Sequence, residues 1–294
     1  MVTDYPISFG AIREWATTSN VSEAEGRVRF AQYGILQAVA HSRELSRLLV
    51  FKGGNALDFV WQPNRSTTDL DFSIDMALDG SDVDDLRLRE LFDGALFRAG
   101  RSLNIAFRAQ SIRRNPPSER HTFATYQMKI AYALQDQLAV IQMIERRQPT
   151  PHVVDLDISL NDVVCESSNV NIGGTHPLRT CTIEDIIAEK LRALLQQPIR
   201  NRNRAQDLLD IAVCLRDATR PIIDRTKVAV FLQQKSEARF VPVSIAAFHR
   251  EEVLTRARSG YDELQHTTRV AFISYDEAVS ELHQFVGSLS IPEE

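Results

Sequence analysis

Apolar positions along the chain change their period several times, and each change marks an element. From Ser22 onward, Val28, Phe30, Tyr33, Leu36 and Val39 recur at mostly helical spacing. They predict an amphipathic helix to about Arg43 with Ser22 as its N-cap. A short helical piece around Glu44 leads into the apolar run Leu48 to Phe51, which reads as a strand. A second apolar strand, carrying Asp69 and Asp71, runs to Ile74. Leu86, Leu88, Leu91, Phe92, Leu96 and Phe97 then predict a helix ending near Gly100. The segments 104–111 and 122–132 alternate apolar and polar residues and flank Pro116-Pro117, the pattern of antiparallel strands joined by a loop. A helical stretch from about Leu134 to Arg146 ends before Pro149 and Pro151, and residues 152–160 form another strand. Residues 1–20 have few periodic apolar positions and are expected to wrap onto the domain or stay partly mobile.

The second half reads as helices. Thr182 is the N-cap of one, with Asp185 at the capping-box position where Glu or Gln is usual. Ile183, Ile186, Ile187, Leu191, Leu194 and Leu195 form its buried stripe. Lys190 lies beside that stripe, so its ammonium either snorkels to solvent or points into a cleft. Another helix begins at Arg204 and places Asp207 and Asp210 at i and i+3 on one face. Helical segments follow at 227–234, 245–259 and 275–289, with a break at Val241-Pro242. Strands and helices first, then helices alone, predict an α+β protein with a mixed sheet. The expected division is a sheet-containing domain over 1–175 and a mainly helical domain over 176–294.

At 294 residues, with 44% hydrophobic and 25% charged residues, the composition is that of a globular protein of one or two domains. No apolar run approaches the roughly 20 residues of a membrane span, and MVTDYPISFG lacks the basic and apolar regions of a secretory leader. Three scattered cysteines, Cys165, Cys181 and Cys214, make neither a disulfide framework nor a zinc site. A reduced, cytoplasmic protein with no membrane partner is expected. The net charge of −5 gives no global nucleic-acid signal, yet basic residues cluster at Arg113, Arg114, Arg120, Arg146 and Arg147 and again at Arg200, Arg202 and Arg204.

Candidate chemistry concentrates between residues 48 and 74. Gly53-Gly54 directly after a strand allows a tight turn and close approach of backbone to a ligand. A helix opening at Asn55 would aim its first N–H groups at an anion there. Asp69 and Asp71, at i and i+2 on a strand, leave the same face and suit Mg²⁺ and displacement at phosphorus. The strand at 152–160 repeats this spacing with Asp155 and Asp157, either of which could supply a third carboxylate.

Gly-Gly followed by Asp-x-Asp on an apolar strand resembles the DNA polymerase β nucleotidyltransferase superfamily. The strings Lys52-Gly53-Gly54-Asn55-Ala56-Leu57 and Arg65-Ser66-Thr67-Thr68-Asp69-Leu70-Asp71-Phe72 narrow the resemblance to the AbiEii group, the nucleotidyltransferase toxins of type IV toxin–antitoxin and phage-abortive systems, to which MenT toxins are related. The segment from Thr182 through Lys190-Leu191 matches the same group, as does Arg204-Ala205-Gln206-Asp207-Leu208-Leu209-Asp210, although Gln206 stands where a basic residue is common. The likeness is strongest over 48–74 and 152–215; the C-terminal third is similar only in being helical.

The resemblance implies a polymerase-β-like nucleotidyltransferase domain whose cleft is completed by the helical domain. It makes Asp69 and Asp71 catalytic metal ligands and favours Asp157 as the third. Lys190 becomes a phosphate contact, and Asp207, with Asp210 in support, a further acidic site residue. Lys52, Gly53, Gly54, Ser66, Thr67 and Arg204 are the expected nucleotide contacts. Mg²⁺, an NTP donor, an RNA acceptor such as a tRNA 3′ end and a cognate antitoxin are the implied cofactors and partners. An aminoglycoside-type small-molecule nucleotidyltransferase is the alternative enzyme, and a non-catalytic nucleotide-binding protein the alternative class.

Overall fold

The computed structural model describes residues 5–62, 67–74, 84–117, 123–216 and 222–294. The chain divides into two compact units, one comprising Met1–Val60, Thr67–Asp162 and Ser167–Thr180, the other Trp61–Ser66, Val163–Glu166 and Cys181–Glu294.

The first unit opens with a helix absent from the sequence expectation, α1 (Ile12–Thr18), which buries Ile12, Trp15 and Ala16. Its packing on α2 (Glu23–His41) is what orders a segment whose own periodicity is weak. At the start of α2, Ser22 and Glu25 form a reciprocal capping box, so two otherwise orphaned N–H groups are satisfied. The helix α3 (Arg43–Leu48) leads to β1 (Leu49–Lys52), α4 (Gly53–Ala56), a π-helical turn over Leu57–Trp61, and β2 (Leu70–Ile74). The helix therefore starts at Gly53 rather than Asn55, and Asp69 precedes its strand by one residue.

Next come α5 (Asp85–Leu103), the long hairpin β3 (Ile105–Asn115) and β4 (Thr125–Leu134), α6 (Leu138–Glu145) and β5 (Val153–Ser159). The expected helix from Leu134 is shorter because β4 continues through that residue, paired with Ile105. Two four-residue strands that no alternation announced, β6 (Ser167–Val170) and β7 (Leu178–Cys181), complete a mixed sheet in the order β3-β4-β5-β2-β1-β7-β6. Strand β2 runs antiparallel to β1 and parallel to β5.

One face of this sheet is apolar. Phe51, Leu70, Phe72, Tyr126, Met128, Leu156 and Ile158 are all buried there. Alternate residues on the same strands, including Asp71, Gln127, Lys129 and Asp157, leave from the other face, as the pleat requires. Helix α2 approaches β3 at Gly34, where a Cβ would lie 2.7 Å from the Phe107 ring.

In the second unit α7 (Ile183–Arg200) is central, packed by α8 (Ala205–Arg216), α9 (Arg225–Glu237), α10 (Ile245–Phe248) and α11 (Glu251–Arg258), while α12 (Tyr275–Val286) packs on α8. The helix expected over 245–259 is two helices, divided where Arg250 turns extended. Thr182 accepts a hydrogen bond from the Asp185 N–H, as its capping role requires. Asp185 does not reach back to close a capping box. Its carboxylate takes the N–H groups of Cys165 (2.7 Å) and Glu166 (3.2 Å) and pairs with Lys235 at 2.9 Å, which ties the segment 163–166 to this unit. Among the described residues no helix is long and apolar enough to cross a membrane.

Candidate active site

The register of the sheet aligns five polar residues in one row: Lys52 on β1, Asp71 on β2, Asp157 on β5, Gln127 on β4 and Arg113 on β3. Each is the direct partner of the next, so all five share the polar face. Asp71 is flanked by Asp157 on one side and by Lys52 on the other. Gly53, at φ +75°, turns the chain beside this row, and a Cβ there would collide with the Asp71 carboxylate. Only glycine combines that backbone conformation with that closeness.

Asp155 and Asp157 point to the same face, and their surroundings separate them. Asp155 is paired with Lys129 at 2.8 Å, and both side chains are about half exposed. Asp157 lies beside Asp71. Burial, above all, raises its carboxyl above the ordinary range; the Gln127 hydrogen bond and Lys52 oppose this, and the charges of Asp69 and Asp155 add to it. Lys52 donates to Ser159 Oγ at 3.0 Å and is ion-paired with Asp162.

Asp69 is held through its backbone. Asn55 Nδ2 donates to the carbonyls of Thr67 (3.3 Å) and Asp69, and Gln32 Nε2 to those of Thr67 (2.9 Å) and Thr68 (3.1 Å). Asn55 in turn accepts from Arg29 Nη1 at 2.6 Å, while Arg29 also pairs with Asp58 and lies over the Phe59 ring. Arg29, Gln32, Asn55 and Asp58 are each no more than 4% exposed. Sequence reasoning gave these four no role. Their signal was a pair of polar residues at i and i+3 among apolar neighbours, Arg29/Gln32 within α2 and Asn55/Asp58 from α4 into the π-helical turn. Thr67 Oγ1 is buried and has no hydrogen-bond partner among the described residues, which leaves a hydroxyl for a ligand oxygen. Ser66, also expected at the nucleotide, lies outside the described residues, as do Arg65 and Arg120. Gly54 is the second residue of α4.

The other expected residues form a cluster within the second unit. Lys190 Nζ donates to Asp207 Oδ1 at 2.9 Å and Asp210 Oδ2 at 2.7 Å. Its ammonium neither snorkels nor stands open; it is clamped between carboxylates. The Lys190 and Asp210 side chains are 7% and 1% exposed, whereas Asp207 keeps 13% and has Arg204 Nη1 at 3.8 Å. The Arg204 carbonyl receives the N–H groups of Asp207 and Leu208, so Arg204 caps α8.

Among the described residues no three His, Cys, Asp or Glu side chains are already gathered around a metal position. Asp69, Asp71 and Asp157 nonetheless supply the donors a hard cation takes: oxygen atoms on neighbouring backbone positions beside a glycine that leaves room. The raising of Asp157 by Asp69 is the like-charge repulsion that a cation would relieve.

Comparison with known proteins bears on the family and the fold. The family model for the nucleotidyl transferase AbiEii toxin of type IV toxin–antitoxin systems matches residues 35–280. MenT4, a nucleotidyltransferase toxin from Mycobacterium tuberculosis H37Rv, is similar in fold, with a TM-score of 0.58 and 19% identity over 97% of this chain and 91% of that one. A candidate nucleotidyltransferase from H. pylori has a TM-score of 0.50 and 17% identity over 91% of this chain and 95% of its own. No curated protein matches the sequence.

Proposed function

Because the chain belongs to the AbiEii family of nucleotidyltransferase toxins of type IV toxin–antitoxin systems, we propose that it moves a nucleoside monophosphate from an NTP to the 3′ hydroxyl of an RNA such as tRNA. Membership makes it a nucleotidyltransferase toxin and implies an NTP substrate and an antitoxin partner. Mg²⁺, the RNA acceptor, a cytoplasmic site of action, a phage-abortive role and the duties of individual residues are our reading.

The observation that carries the reading is the pairing of Asp71 with Asp157 on adjacent parallel strands, with Asp69 two residues before Asp71. Asp69, Asp71 and Asp157 would hold Mg²⁺, which supplies charge neutralisation at the reacting phosphate. Gly53-Gly54, Ser66 and Thr67 are assigned to the triphosphate, with Lys52 at its edge. Lys190 and Arg204 are assigned to countering phosphate charge, and Asp207 to orienting Lys190. In the transfer, the RNA 3′ oxygen bonds to the α-phosphorus as the bond to the bridging oxygen breaks. Pyrophosphate leaves with the electron pair, and Asp157 takes the hydroxyl proton.

The test is label transfer from each of four α-³²P-labelled NTPs to total tRNA with Mg²⁺, for the wild type and Asp69→Ala. Incorporation from one nucleotide, lost in the variant, supports the reading. Binding of NTP without transfer to any RNA overturns the acceptor, and a small-molecule or protein hydroxyl takes its place. Wild-type transfer that persists in the variant overturns the site.

A further inference from the structure

We propose that the polar face of the β3–β4 hairpin is the track on which the single-stranded 3′ end of the RNA acceptor lies, with Arg113 as its phosphate contact. The proposal rests on the nucleotidyltransferase reading above and adds where the acceptor binds.

The row that contains the carboxylates does not stop at them. Beyond Asp157 it continues through Gln127 to Arg113, whose Nε donates to Gln127 Oε1 at 3.2 Å, while Asn115 Nδ2 approaches the same oxygen at 3.4 Å. Gln127 is in turn the direct strand partner of Asp157, and its amide favours the charged form of that carboxylate. Arg113 is thus held at a set height on the sheet, level with Asp71 and three strands away. At about 4.8 Å per strand the separation is about 14 Å. A phosphate on Arg113 therefore belongs a few nucleotides back from a 3′ hydroxyl that reaches the carboxylates.

The chemistry of the face suits this occupant. Ser111, Arg113, Asn115 and Lys129 are exposed on it, and Thr125 and Gln127 are partly so. None is an apolar anchor of the kind on which a protein partner's binding energy concentrates. Hydroxyls, amides and a fixed guanidinium instead match phosphates and 2′-hydroxyls. Lys129, at 2.8 Å from Asp155, neutralises a carboxylate that lies beside the track and outside the Asp71 row. The structure also sorts the basic cluster noted in the sequence. Arg113 shares the catalytic face, Arg114 pairs with Tyr126 on the opposite one, and Arg146 and Arg147 follow α6.

The experiment compares the wild type, Arg113→Gln and Arg146→Gln in NMP transfer to tRNA, varying tRNA and KCl, with NTP binding measured separately. Arg146→Gln removes the same charge from an exposed position just after α6, which packs on the other end of the hairpin over Ala106, Ala131 and Ala133. For Arg113→Gln we expect a KM for tRNA raised about five- to tenfold, a salt dependence shallower by about 0.7 in the log–log slope, and unchanged NTP affinity and melting temperature. For Arg146→Gln, tRNA KM and slope should match the wild type. A lowered kcat at unchanged tRNA KM and slope assigns Arg113 to supporting Asp157 through Gln127 and overturns the track. Equal effects of the two variants overturn it too, leaving net charge alone. Wild-type protein that transfers nothing to any RNA removes the reading beneath the proposal along with it.

Discussion

The Asp71 carboxylate fills the space that a Cβ on residue 53 would need. The glycine is thus a steric requirement of the carboxylate as well as of the backbone, which stands at φ +75°. Gly53→Ala adds strain of about 1–2 kcal/mol for the left-handed conformation and pushes Asp71 aside. We expect a drop of a few degrees in melting temperature and a loss of NMP transfer of at least about a hundredfold. A variant with near-wild-type transfer would show that Asp71 can be displaced without consequence.

Asn55 links a buried cation to the backbone of a metal-ligand candidate. In Asn55→Ala the carbonyls of Thr67 and Asp69 lose a donor, and Arg29 loses an acceptor in a buried setting, at a cost of about 1–3 kcal/mol. If its role is positioning, Mn²⁺ affinity followed by electron paramagnetic resonance falls several-fold, and raised metal concentration restores transfer. A loss of stability with unchanged Mn²⁺ affinity assigns Asn55 to packing alone.

Lys190 stands between two carboxylates that are themselves shielded from water. Removing it strands two buried negative charges, an effect of about 3–5 kcal/mol. Lys190→Met should therefore melt well below the wild type, by about 10 °C, and lost activity in that variant alone says nothing about phosphate. Asp207→Asn is the informative change. It keeps the shape and leaves Lys190 paired with Asp210, so transfer is expected to fall while the melting temperature shifts by only a few degrees.

The Cys165 thiol is pushed up to about 11, first by burial and then by the charges of Asp185 and Glu189, against the opposing pull of Lys235. A raised thiol pKa favours the neutral form. Carboxamidomethylation of Cys165 at pH 8, read by peptide mass spectrometry, should run about a hundredfold slower than that of an unstructured thiol, and should keep accelerating beyond pH 9. The linkage has the same sign: the neutral thiol's contribution to stability is complete below the unfolded pKa and is lost as pH rises towards 11. A reactivity plateau by pH 9 would refute the shift.

What the sequence determined by itself is what depends on near neighbours. The Ser22 and Thr182 caps were legible because the N–H that each accepts lies within three residues. The apolar faces of α2, α5 and α7 follow from helical spacing, and the alternation that puts Asp71 opposite Phe72 follows from the pleat. The Gly-Gly and Asp-x-Asp strings carried the family resemblance for the same reason: the close approach and the shared face are local. Tertiary structure decided everything that needed a distant partner. Residues 155 and 157 have the same parity, so periodicity does not separate them; the family resemblance favoured Asp157, and the register of β5 against β2 sets it beside Asp71 and leaves Asp155 to Lys129. The Arg29–Asn55–Asp58 network joins positions 26 and 29 residues apart. The clamp on Lys190 comes from the following helix, 17 and 20 residues on. Strands β6 and β7 are too short to show a period and exist through their pairing, as α1 does through packing on α2. A charge or an amide is cheap to bury only where its partner is already fixed, and the chain fixes that partner only when it folds.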